Sequence, residues 1–153
     1  MVASVYWFGK TMINAFGGAT ALDDYRINYM SDDIAVALCT SLYSPDLDAD
    51  MFWSDVDNEV VGGNYPAGGV VLTGKSLEYD SPNNQTKFKA GNIVIPNSTI
   101  TARYAVIYDK TPVADEDKCL LGYIDFGEDK ISDADDFTIN WHSDGILRGI
   151  VEE

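Results

Sequence analysis

From Ile34 onward the chain is a succession of short β-branched and aromatic runs, punctuated by glycine, proline, asparagine and aspartate. This pattern constrains the fold most: the runs favour strands, the punctuation favours turns, and little 3.6-residue periodicity lies between them. Candidate strands are 34–42, 68–73, 76–79, 86–89, 92–95, 99–108, 120–126, 136–141 and 146–151. Strands this dense predict a mainly β protein, an antiparallel β-sandwich or jelly roll. In 136–141 the alternation sets Phe137, Ile139 and Trp141 against Thr138 and Asn140. In 99–108 it puts Ile100, Ala102, Tyr104, Val106 and Tyr108 on one face. Arg103 falls on the opposite, accessible face with Thr101, Ala105 and Ile107.

Near the start, Val5, Phe8, Met12 and Phe16 stand at helical spacing ahead of Gly17 and Gly18, which predicts one short amphipathic helix over 5–16. Its apolar face is either core or a docking surface. Residues 46–56, "DLDADMFWSDV", predict a loop running into a helical turn, with Asp48 or Asp50 as cap and Phe52, Trp53 and Val56 packed inward. Residues 109–118 form a polar, mobile surface loop. No repeat or linker interrupts the 153 residues, so a single domain is expected: residues 1–33 as helix and arm, 34–153 as the sandwich.

Ten Lys and Arg against twenty-five Asp and Glu leave a formal net charge of −15. Nucleic-acid binding relies on cationic side chains displacing counterions from phosphates, so this balance disfavours it; a cationic partner or bridging metal ions would suit it. No apolar run approaches the length of a membrane span, and the start lacks the apolar segment of a secretion signal. Cys39 and Cys119 lie in apolar runs and read as buried thiols made in a reducing cytosol, since two cysteines make no disulfide framework. The sequons at Asn84 and Asn97 then carry no consequence.

Residue chemistry gives few candidates. The lone histidine, His142 in "WHSDG", reads as a solvated turn residue, and Ser143 beside it cannot meet it in triad geometry. One histidine and two distant cysteines make no zinc site. Asp46, Asp48 and Asp50 alternate as in a calcium loop, with Asp57 in the twelfth position. Met51 stands where that loop needs glycine, and Asp57 is shorter than the required glutamate. Both departures disfavour an EF-hand; a weaker calcium site at Asp46, Asp48 and Asp50 competes with a solvated acidic cap. No carboxylate spacing marks a hydrolase, and "GGVVLTGKS" is a strand entering a turn rather than a phosphate cradle. The aromatic residues read as core more than as a sugar platform, for which Trp53 and Tyr65 are the residues to test.

Taken in order, "YWFGK", residues 34–80, "NSTITARYAVIYD", "LLGYIDFG" and "FTINWHSDGILR" resemble a small β-sandwich structural protein of tailed bacteriophages, of the capsid decoration (cement) type. The resemblance covers most of 34–148; "DDYRINYM" and "TPVADEDK" depart from it. It implies a virion component on the capsid exterior, made in the host cytoplasm, which bridges capsomers and stabilises the head. Its partner would be the major capsid protein, and a homo-oligomer, a trimer, would suit local threefold positions. No enzyme activity, catalytic residue or cofactor is implied. The alternative within the same resemblance is a tail- or neck-associated adaptor or fibre-anchoring module with glycan affinity. Interface candidates are Tyr6, Trp7, Phe8, Arg103 and Arg148, the arginines as inter-subunit partners of acids or else as solvated sheet-face residues.

Overall fold

The computed structural model describes residues 2–3, 5–16 and 27–150. Its centre is β3 (Ile34–Cys39), "IAVALC", a run without a polar side chain in which all six residues are buried. Such a strand needs cover on both faces and partners on both edges. One edge pairs antiparallel with β7 (Ile93–Asp109), from Ile34 opposite Asp109 to Cys39 opposite Tyr104. The other takes β4 (Val70–Val71) and a bridge to Glu59. Beyond β7 lies β8 (Leu120–Trp141), whose far edge carries β2 (Val5–Trp7) antiparallel and β1 (Val2–Ala3) parallel. A smaller antiparallel sheet has the order β5 (Ser76–Asp80), β6 (Gln85–Lys89), β9 (Leu147–Ile150).

The main core, with Ile34, Val36, Leu38, Ile107, Ile124 and Leu147 among its members, fills one face of the large sheet and reaches the small one through Leu147 and Phe88. A second cluster on the opposite face holds Phe8, Ala35, Ala37, Cys39, Tyr43, Val106, Tyr108 and Leu120. The protein is therefore mainly β with antiparallel sheets, as the strand pattern predicted. Among the described residues, no helix is long and apolar enough to cross a membrane.

Four expectations are corrected. Residues 92–95 and 99–108 are one strand, and so are 120–126 and 136–141. The interruptions at Pro96–Asn97, Phe126–Asp129 and Ala134 are bulges or irregularities that bend the β7–β8 ribbon without ending it; Asn97, Gly127 and Ala134 take positive φ there.

The second concerns faces. Between Ala102 and Tyr104 the register jumps from Lys130 to Asp125. This shift at Arg103 reverses the alternation, so Ile100 and Ala102 share the main core with Ala105 and Ile107. Tyr104, Val106 and Tyr108 pack in the second cluster.

The third is the helix. Only α1 (Thr11–Phe16) is helical, and Val5–Trp7 is a strand. Opposite Trp7 stands Gly122, where a Cβ would lie 2.7 Å from the Tyr6 carbonyl oxygen, so the glycine makes room for the pairing. Gly17, Gly18 and Val151 lie outside the described residues.

The helical turn expected after "DLDAD" is a 3-10 turn at Trp53–Asp55. Asp48 and Asp50 do not cap it. Asp55 reaches back instead, accepting from the Met51 and Phe52 amides at 2.9 Å each. Two more 3-10 turns, Ser81–Asn83 and Asp115–Asp117, sit in connecting loops.

Candidate functional site

On the core-side face of the small sheet, alternation lines up Leu77 and Tyr79 of β5, Thr86 and Phe88 of β6, and Leu147 and Gly149 of β9. Phe88 and Leu147 reach the main core, while Leu77 is 45% exposed and Tyr79 60%. Opposite them, α1 turns Thr11 and Asn14 inward and leaves Met12, Ile13 and Phe16 exposed, Phe16 at 83%. Between α1 and the sheet runs a groove of about 640 Å³.

Its floor is fixed by side-chain bonds to the backbone. The Trp7 indole donates to the Arg148 carbonyl (2.9 Å) and the Tyr29 hydroxyl to that of Lys89 (2.8 Å). The Thr11 hydroxyl lies 2.8 and 2.9 Å from the Leu120 and Leu121 carbonyls. Trp7 and Tyr29 both meet Phe88 edge to face, at 5.3 and 5.1 Å. Burial raises the Tyr29 pKa, so its phenol stays protonated. Among the described residues, no carboxylate, histidine, cysteine or lysine lines the groove. What it offers is apolar area in the size range of a small ligand or a few inserted side chains.

A second cleft, of about 460 Å³, brings together three of the candidates, Tyr6, Trp7 and Arg148, along with His142. Tyr6 is half exposed and lies 5.5 Å from the Tyr123 ring. Arg148 approaches Asp144 at 3.5 Å, and Asp144 also holds Lys87 at 3.0 Å; Lys87 above all keeps its carboxyl below the usual range. His142 accepts the Asp144 amide hydrogen at Nδ1 (3.1 Å), closing its turn.

The remaining candidates go elsewhere. Phe8 is a core residue at 2% exposure, in contact with Tyr123, and presents no surface to a partner. Arg103 lies on the β7–β8 bulge over the Tyr104 ring and pairs with Asp125 of its own chain. Asp46 accepts from the Asp48 and Ala49 amides at 3.0 Å each, and Asp50 accepts from the Tyr43 hydroxyl (2.8 Å) and the Asp46 amide (3.1 Å). These carboxylates are spent on the loop itself. Among the described residues, no three His, Cys, Asp or Glu side chains are placed to hold an ion.

Trp53 stacks on Tyr108 at 4.3 Å. Tyr65 is buried, its hydroxyl bonded to Glu59 and to the Leu38 amide. Tyr65 therefore offers no sugar platform, and Trp53 has one ring face taken by Tyr108. Cys39 and Cys119 are free, and burial pushes both thiols up to about 12, leaving little thiolate at neutral pH.

One titratable group escaped the sequence reading. Asp109, at the end of β7, is 4% exposed, and burial with the nearby Asp32 carboxyl raises its pKa to about 6. An acid ending an apolar run looks like a loop residue until the chain covering it is placed. For the groove a sequence signal did exist: "SLEYD" alternates, but the side of Leu77 and Tyr79 that remains uncovered depends on the fold.

No family model matches the chain, and neither does any curated protein or solved structure.

Proposed function

We propose that the protein is a structural component of a tailed-bacteriophage particle: a decoration protein that seats on the capsid exterior and strengthens the head by bridging capsomers of the major capsid protein. The observation that carries this reading is the exposed apolar rim of α1, Met12, Ile13 and Phe16, mounted on a block whose central sheet is packed on both faces. A cement needs stiffness and a docking edge rather than a reactive centre. The charge of −15 suits a location outside the shell, away from packaged DNA, and a trimer would match local threefold positions.

The test is stoichiometry on purified particles. The decoration reading expects a copy number comparable with the major capsid protein, and loss of seating in Phe16→Asp and Met12→Asp variants that still fold. A few copies per particle would point to the neck or tail. That alternative adaptor role, with glycan affinity, draws on the exposed Tyr6 beside Tyr123, and Tyr6→Ala would then abolish glycan binding.

A further inference from the structure

β5 is hydrogen-bonded to β6 along one edge and, among the described residues, to no strand along the other. Alternate residues of such an edge aim their N–H and C=O outward, which makes it a template for another strand. Of the usual guards only charge is present, at Glu78 and Asp80 on the outer face. "SLEYD" contains no proline or lysine, and its five pairs with β6 run without a bulge.

Charge selects the occupant. At −15 this chain repels its own copy over most of its surface, yet the outer face of the small sheet is locally balanced. There Lys87 bridges Asp80 (2.7 Å) and Asp144 (3.0 Å), Lys89 bridges Glu78 (2.9 Å), and Arg148 stands near Asp144. Two copies can approach here without the repulsion they meet elsewhere, and a strongly basic partner gains little.

The register is also self-complementary. An antiparallel pairing about a twofold axis at Glu78 sets Leu77 opposite Tyr79 of the second copy, and Tyr79 opposite its Leu77. Both pairs lie on the core-side face, where they cover each other. Ser76 falls opposite Asp80. The two Glu78 side chains face one another, each held by the Lys89 of its own chain.

We propose that β5 pairs with β5 of a second copy of this chain, joining the two small sheets into one and extending the sheet face beyond Leu77 and Tyr79 while leaving the α1 rim free. This contact is independent of where the protein sits in a particle and separate from any threefold contact. Because Glu78 meets Glu78 and both molecules are acidic, salt strengthens the association, the reverse of a contact held by ion pairs.

The test uses the full chain in sedimentation equilibrium over a range of salt, with Tyr79→Glu, Leu77→Glu and Glu78→Cys variants. The expected result is self-association that tightens as salt rises and is lost in the two glutamate variants while their circular dichroism is unchanged. Directly opposed residues of an antiparallel pair lie about 4.5–5.5 Å apart at Cα, inside the disulfide range of about 4.4–6.8 Å. Under oxidant, Glu78→Cys therefore forms a covalent dimer, and the wild type, with both cysteines buried, forms none. Absence of that cross-link overturns the proposal, whether the wild type is a monomer, a trimer or a dimer built on another surface. So does an assembly that survives both glutamate variants.

Discussion

Arg103 and Asp125 meet across the β7–β8 ribbon in a two-point contact, Nε 2.7 Å from Oδ1 and Nη2 3.3 Å from Oδ2. The same Asp125 Oδ1 accepts the Gly127 amide at 2.7 Å. The pair thus closes the bulge at which β7 reverses its faces.

For an ion pair this exposed, Arg103→Ala should lower thermal stability only slightly, and the loss should vanish in about molar salt. Gly127 has φ +79° and open space around its Cβ position, so Gly127→Ala should cost about 1 kcal/mol from backbone conformation alone, whatever the salt. Melting curves at low and high salt separate the two effects. A Gly127→Ala loss that salt abolishes would break the account.

Gly69 and Gly62 share a left-handed backbone, φ +80° and +82°, but differ in surroundings. A Cβ on Gly69 would sit 2.1 Å from the Val36 carbonyl oxygen, in the middle of β3, whereas one on Gly62 meets nothing within 4 Å. Gly62→Ala should cost about 1 kcal/mol. Gly69→Ala should cost more than about 3 kcal/mol or prevent folding, because β3 has no room to retreat. Urea unfolding of both variants decides; equal losses would mean that the β3 backbone yields.

Asp109 makes stability depend on pH in the opposite sense to most native carboxylates. Its folded pKa, about 6, lies above the ordinary 3.8, so between these values the folded state binds more proton than the unfolded one. Its contribution is complete below about pH 4 and is lost as pH rises through 6, by up to about 3 kcal/mol. Asp80, Asp125 and Asp144, whose pKa values are lowered, act the other way, their stabilisation fading as pH falls below 4. Asp109→Asn should flatten the decline between pH 4 and 6. A wild-type profile rising across that window would refute the assignment.

Asn14 is buried in α1, and neither its amide nitrogen nor its oxygen finds a partner among the described residues. An unsatisfied buried amide costs about 1–3 kcal/mol. Asn14→Leu, of similar volume, should therefore raise the melting temperature. A lower one would show that the amide is satisfied in solution.

How far the fold was legible in the sequence follows from what each signal depends on. "IAVALC" and "SLEYD" announced themselves because strand propensity and alternation are local. The jump at Arg103 did not, because a register shift belongs to two strands at once and the slack lies in Phe126–Asp129 of the partner. Val5–Trp7 was misread for the same reason: spacing suited to a helix was overruled by an edge of β8 more than a hundred residues away. Of the site candidates, Tyr6, Trp7 and Arg148 converge on one cleft. Phe8 is distinguished from its neighbours only by which side of the sheet its ring enters.

β3 has protein on both faces and both edges, which gives it a kinetic meaning. Its amide hydrogens can swap for deuterium only when the neighbouring strands separate, so they act as a clock for opening of the whole molecule. Loosening confined to the periphery would leave that clock unchanged.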